Sequence, residues 1–227
     1  DPTGRVELIH GSFHGPLLAE SLLQAILFMN QQMPTMINNF RNRGWNRNIQ
    51  ASSRPLSEQI VLIIGFGNIG SYCAEKISGL GARVIGIKKT IEPYSKYNHE
   101  VFGLEHLTDL LPEADHVVLL LPGNEDTDGF MSAERLMACK PGAILYNFGR
   151  GNAIRSKDLL EHWNHLGGAF LDVTDQEPLN PESPLWQLDN IMITPHSSCV
   201  YQDYRRLFIS EVKDRLLTHL KSRNATF

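Results

Sequence analysis

The 227-residue sequence predicts a doubly wound α/β fold, a parallel sheet covered by helices on both faces. Three observations carry the prediction. From Ile60 onward, short apolar runs of strand length recur, each followed by a segment with helical spacing. The runs are apolar without alternation, as strands must be when crossover helices bury both of their faces. A glycine-rich turn, "GFGNIG" at 65–70, joins the first run to the first such helix. Composition agrees: 42% apolar and 20% charged residues suit a globular chain that buries a full core.

In chain order, "LLAESLLQAILFMNQQM" at 17–33 sets Leu18, Leu22, Ala25, Ile26 and Met29 on one helical stripe, which Pro34 is expected to stop. Residues 36–55 turn to Asn, Arg and Gly around an isolated Trp45 and read as an exposed connection or arm. Trp45 is there either as surface packing or as a subunit contact. Strands are expected at 60–64, 83–87, 116–121, 143–147, 169–173 and 191–194, and helices at 69–80, 104–111, 133–138, 157–166 and 201–220.

Several function classes are excluded at this level. A net charge of −4 with no basic run offers no surface for nucleic acid, which needs clustered Lys and Arg. The longest apolar stretches, around 60–64 and 117–121, fall far short of the roughly 20 residues that span a membrane, so no membrane partner is expected. Cys73, Cys139 and Cys199 are odd in number and lack metal-like spacing. They predict buried thiols, no metal site and a reduced, cytoplasmic setting. The chain begins at Asp1 without a charged-then-apolar leader, which reads as a processed or partial chain.

Gly65, Gly67 and Gly70 form G-x-G-x-x-G between a strand and a helix. In that setting the first glycine permits a tight turn, the second lets a pyrophosphate approach the backbone and the third lets helix and strand pack closely. The helix start at Asn68, Ile69 and Gly70 offers unpaired N–H groups to phosphates. A dinucleotide site of this kind ordinarily has an acid after the second strand for the ribose, but here Lys88, Lys89 and Thr90 stand there.

Three further segments follow predicted strands: "NFGRGNAI" with Arg150, "LDVTDQEPL" with Asp172 and Glu177, and "ITPHSS" with His196. Ligands of open α/β sheets bind beyond the carboxyl ends of the strands, so the three converge on one crevice. An Arg supplies a planar fork for a carboxylate, a His titrates near neutrality, and a carboxylate beside that His orients the ring and favours its charged form. The trio suits a hydride transfer coupled to a proton. Singly, each has a plainer reading as a surface charge, a turn acid before Pro178 and a loop histidine after Pro195.

With "GFGNIG", "LLLPGNEDTDGFMSAERLMACKPGAILYNFGRG", "AFLDVTDQEPL" and "PLWQLDNIMITPH" in order along one chain, the sequence resembles the cofactor domain of the D-isomer-specific 2-hydroxyacid dehydrogenases. The resemblance runs from Gly65 to about His196, and more loosely through the final helix. It implies a Rossmann-type domain in which Arg150 holds the substrate's carboxylate and carbonyl oxygen, His196 donates a proton to that carbonyl, and Glu177 keeps His196 protonated and aligned. Asp172 matches the position near the nicotinamide carboxamide, and Leu121, Pro122, Thr127, Phe148, Gly149 and Ser198 fall in segments that line the cofactor. The reaction implied is reduction of a 2-keto acid to a D-2-hydroxy acid or its reverse.

Counted along the resemblance, Lys88 stands where an acid would select NAD. With Lys89 and Thr90 it favours NADP, because an ammonium neutralises a 2′-phosphate that an acid repels. The organisation implied is a linker helix and dimerisation arm over 1–56, a dinucleotide-binding domain over 57–200 and a C-terminal helix over 201–227, working as a homodimer whose two-fold contact is made by the helix over 17–33 and the arm over 36–55. Two departures stand out. Gly149 replaces the usual alanine, which predicts a looser backbone before Arg150. No separate substrate domain of about a hundred residues precedes Gly15, so the chain is expected to be a fragment, inactive alone. Two rivals share the fold: a dinucleotide-sensing corepressor-like protein without turnover, and a dimer scaffold that binds no cofactor.

Overall fold

The computed structural model describes residues 13–90 and 99–224; the outermost residues of the expected arm and C-terminal helix lie outside them. Among the described residues, seven strands form one sheet: β1 (Ile60–Ile64), β2 (Arg83–Lys88), β3 (Glu100–Gly103), β4 (His116–Leu119), β5 (Ile144–Asn147), β6 (Gly168–Leu171) and β7 (Ile191–Ile193). Their order is β3-β2-β1-β4-β5-β6-β7, parallel throughout. The helices are α1 (His14–Asn30), α2 (Met33–Arg41), α3 (Asn68–Ser78), α4 (Leu107–Leu110), α5 (Ala133–Ala138), α6 (Ser156–Glu161) and α7 (Tyr204–Asn224). No described helix is long and apolar enough to cross a membrane.

The continuous apolar strands are explained by their burial. Successive residues point to opposite faces, so Leu62, Ile64, Ile85, Ile87, Val117 and Leu119 pack under Leu107, Leu111, Leu136 and Leu159 on one side. Val61, Ile63, Val84, Val118, Tyr146 and Phe170 meet α1 and α3 on the other. The stripe expected on the first helix is therefore used within its own chain. Leu18, Leu22, Ile26 and Met29 are 5%, 0%, 0% and 4% exposed. At about 1.5–3 kcal/mol for each such side chain, α1 is part of the core and not only a linker.

Several expected boundaries need correction. Pro34 does not stop the first helix: α1 ends at Asn30, Gln32 turns left-handed at φ 54°, and Pro34 sits in the first turn of α2, where its missing N–H costs nothing. The stretch expected as a plain exposed connection holds α2 and a 3-10 helix over Arg47–Ser52. The short edge strand β3 went unread, since "EVFG" is brief and half-exposed. The strand expected at 116–121 leaves the sheet at Leu119, and the helix expected at 157–166 divides into α6 and a 3-10 turn over Trp163–His165. Cys73 and Cys139 are buried as expected, and burial pushes both thiols up to about 12, whereas Cys199, expected to be buried too, is only partly covered.

A buried polar chain closes the amino end of the sheet. His116, 1% exposed, faces the Gln59 Oε1 with Nε2 and the Tyr146 hydroxyl with Nδ1 at 3.0 Å. Gln59 in turn donates from Nε2 to Asn30 Oδ1 at 3.0 Å and to the Arg54 carbonyl at 3.1 Å. Because Gln59 Oε1 can only accept, Nε2 of His116 carries the proton and Nδ1 accepts from Tyr146. The ring is neutral, and burial lowers its pKa from 6.5 to about 4. Below pH 6.5 the unfolded chain takes up a proton that the folded chain refuses until about pH 4. Stability from this group is therefore lost as pH falls through that window, by about 3 kcal/mol in all. Urea midpoints measured from pH 7 to 4 are expected to fall in the native chain and to fall less in His116→Gln.

Candidate cofactor and catalytic site

In the strand order, β1 and β4 are neighbours whose connections leave to opposite sides, and the crevice at their carboxyl ends is where such sheets bind ligands. Here the three glycines serve three different needs. Gly65 has φ 99°, and a Cβ on it would lie 2.5 Å from the Leu120 carbonyl oxygen. At Gly70 a Cβ would come within 3.1 Å of the Gly65 oxygen, so helix and turn would have to part by a few tenths of an ångström. At Gly67 a Cβ would meet nothing within 4 Å. Packing does not require that glycine; a group lying over the start of α3 would. No side chain caps α3 at Gly67, so the first N–H groups of the helix face the same space.

Two cavities open side by side here and share Leu120, Leu121 and Pro122. One, of about 580 Å³, is lined by Gly65, Gly67, Lys88, Lys89, Asp126 and Thr127. Thr127 is fixed by donating to the Pro122 carbonyl at 2.6 Å and by a capping box with Asn124. The other, of about 570 Å³, is lined by Ile69, Phe148, Gly149, Arg150, His196 and Ser198. A long ligand with a phosphate bridge at its middle could run from one cavity to the other past Leu120, Leu121 and Pro122, with Gly67 on the wall of the first. Asn68 and Gly70 lie in the first turn of α3, and Thr90 follows Lys89 on the surface.

His196 Nδ1 lies 2.9 Å from Glu177 Oε2, which leaves Nε2 as the nitrogen available to the cavity. Glu177 is held by the Thr174 N–H, which donates to Oε1 at 3.2 Å. The pair is half-exposed, His196 at 46% and Glu177 at 39% of their side chains. His196 has a left-handed φ of 52°, a conformation that needs support. Its N–H donates to the Asp172 carbonyl at 2.8 Å. The Asp172 carboxylate, 2% exposed, accepts from the Thr194 hydroxyl at 2.6 Å and from the N–H groups of Ser197 and Ser198 at 2.9 and 3.1 Å. Asp172 thus stands behind the cavity wall and builds the loop that presents His196.

Arg150 is exposed and donates from Nη1 to the Gly149 carbonyl at 2.8 Å. Its loop is tight, not loose as the glycine suggested. A Cβ on Gly149 would lie 2.5 Å from the Leu121 oxygen, and Gly149 N donates to Asn147 Oδ1 at 3.2 Å. Asn147 Nδ2 then donates to the Arg150 carbonyl at 3.1 Å, completing the clamp. Gly151 lies so close to the Thr174 carbonyl, 1.7 Å from an added Cβ, that the loops after β5 and β6 can touch. That contact brings the Arg150 segment beside the Glu177 segment.

Sequence reading missed three contributors. Asp126, from the turn after β4, pairs with Lys89 at 2.7 Å. His14 and Tyr204, joined Nε2 to hydroxyl at 2.8 Å, line the cavity of Arg150 and His196 from α1 and α7. No local pattern marks these residues, since each meets its partner across 37 or 190 positions of chain.

Residues 23–198 match the family described as D-isomer specific 2-hydroxyacid dehydrogenase, NAD binding domain. The chain belongs to this family. Its sheet and flanking helices are the Rossmann-type arrangement of that domain. A D-3-phosphoglycerate dehydrogenase from Mycobacterium bovis is 31% identical over 182 residues, 78% of this chain and 34% of that protein. A glyoxylate reductase from Thermococcus onnurineus is 38% identical over 140 residues, 59% of this chain and 40% of that one. This dehydrogenase-family chain therefore spans about a third to a half of the length of the curated relatives it matches.

Among solved structures, a probable 2-hydroxyacid dehydrogenase from Rhizobium etli, in complex with NADP, HEPES and L(+)-tartaric acid, superposes with a TM-score of 0.83 at 26% identity. The match covers 96% of this chain and 71% of that one. An NADPH-dependent glyoxylate/hydroxypyruvate reductase from Sinorhizobium meliloti, in complex with NADP and sulfate, gives 0.81 at 26% identity over 94% and 67%. The family's chemistry is that of NAD(P)-linked oxidoreductases acting on 2-hydroxy acids.

Proposed function

We propose that this chain is the cofactor-binding part of an NADP-dependent enzyme that reduces a small 2-keto acid to its D-2-hydroxy acid. The observation that carries the proposal is the His196–Glu177 pair in the same crevice as Arg150, adjoining the glycine turn. Bound there, the nicotinamide supplies the hydride. The Arg150 guanidinium, with N–H groups left over from its bond to Gly149, holds the substrate's carboxylate and carbonyl oxygen. His196 Nε2 gives its proton to the carbonyl oxygen as negative charge builds there, and Glu177 holds the ring in the orientation this needs. Ser198 and Phe148 line the same cavity as His196. The names of the relatives, glyoxylate and hydroxypyruvate reductases among them, favour small 2-keto acids.

For NADP the support is Lys88 at the end of β2 with Lys89 and Thr90 after it, and the NADP bound in two of the solved structures that this chain resembles. The three free thiols favour a reducing, cytoplasmic setting. A homodimer is proposed through α2 and the arm after it, a second copy covering Phe40 and Trp45, which stand 83% and 93% exposed.

Three measurements test these points. In the full-length protein, His196→Ala is expected to lower the maximal rate of NADPH oxidation with glyoxylate, pyruvate or hydroxypyruvate by about 10²–10⁴. Cofactor affinity should stay the same, and unchanged turnover would refute the assigned role. Calorimetric titration of the 227-residue chain is expected to show tighter binding of NADP⁺ than of NAD⁺. Lys88→Asp, which replaces a charge-assisted bond by repulsion, should reverse that order by more than about tenfold. Equal or tighter binding of NAD⁺ by the unmodified chain would show the lysines to be solvated surface charge. Light scattering at micromolar concentration is expected to give twice the chain mass, and a monomer removes the dimer.

A further inference from the structure

Lys89 does not face the adenosine end of the crevice alone. It follows β2 directly, and Asp126 lies in the 3-10 turn Glu125–Thr127 that follows β4. Because β2 and β4 flank β1 in the sheet, the 2.7 Å ion pair between these side chains reaches across the carboxyl end of β1, over the start of the glycine turn. Both residues line the cavity that holds Gly65 and Gly67. The Asp126 backbone is anchored by the reciprocal cap between Asn124 and Thr127, while its side chain is 72% exposed. Lys89, by hydrogen bond and by charge, holds the Asp126 carboxyl below its usual range.

We propose that Asp126 is a discriminating residue for the cofactor, an acid delivered from the β4 side of the crevice that checks the preference for NADP over NAD. The inference rests on the reading of the glycine crevice as a dinucleotide site. At the end of β2, where an acid would accept the ribose hydroxyls, the chain has lysine; Asp126 brings a carboxylate to the same cavity from the opposite wall. When NAD binds, the ion pair persists and Asp126 has a lone pair left for a ribose hydroxyl. When NADP binds, its 2′-phosphate, carrying up to two negative charges on three acceptor oxygens, draws the Lys89 ammonium away. The exposed pair yields, since such a pair shifts an equilibrium by no more than about fivefold. The released carboxylate is then left beside the phosphate, and repulsion between the two lowers NADP affinity.

The test is calorimetric titration of the 227-residue chain and its Asp126→Asn variant with NADP⁺, NAD⁺, adenosine 2′,5′-bisphosphate and AMP at low salt. The exposed side chain makes the substitution benign for folding, and an unchanged thermal midpoint checks this. NADP⁺ and the bisphosphate are expected to bind about threefold to fivefold more tightly to the variant, with NAD⁺ and AMP unchanged or weaker. Raising the salt should shrink the gain, because exposed charges are screened. In Lys89→Ala, Asp126→Asn should retain only the part of the gain due to relieved repulsion. If all four ligands tighten together, or none does, Asp126 has no part in discrimination while the dinucleotide reading stands. If neither dinucleotide binds the native chain, both fail.

Discussion

Every strand of the sheet runs the same way, and that one constraint organises the rest of the molecule. A parallel strand must be reached by a crossover on one face, so both faces are covered and each strand is buried on both sides. The same constraint sends every loop that follows a strand to one edge. Gly65 after β1, Lys89 after β2, Asp126 after β4, Arg150 after β5, Glu177 after β6 and His196 after β7 therefore meet, although they span more than half of the sequence. The opposite edge receives no such loops and is closed by the polar chain of His116, Gln59 and Asn30.

Convergence alone does not place a ring nitrogen, and the fine placement rests on one buried carboxylate. Taking the charge of Asp172 out of water costs several kcal/mol. Three donors to its oxygens, at about 1.5–3 kcal/mol for each bond to a charged group, offset that cost. All three come from the loop that carries His196 or from the strand end before it. The arrangement converts desolvation into geometry: the carboxylate is satisfied only while the loop keeps the left-handed turn at His196. The glycines do similar work on the backbone. Gly65, Gly149 and Gly151 each let two loops approach more closely than a methyl group permits, and so draw the separate loop ends into one crevice.

Much of this was legible in the sequence. Unalternating apolar runs, the glycine turn and the order of later motifs determined the fold class, the family and the positions of Arg150, Glu177 and His196, because burial on both faces and close backbone approach act through local residue choice. The stripe on α1 and the apolar spacing of α7 were equally readable as helix. Only the tertiary structure decided what those faces meet. Leu22 and Ile26 are wholly buried in their own chain, whereas Phe208, Val212, Leu216 and Leu220 stay about half exposed. Periodicity reports that a face is apolar and not what covers it. The missed strand β3, the second helix with Pro34 in its first turn and the clamp at Gly149 likewise depended on neighbours distant in the chain. So did the pairing of Lys89 with Asp126: the sequence showed two lysines where an acid was expected, and only the adjacency of β2, β1 and β4 brought an acid back from the far side of the crevice.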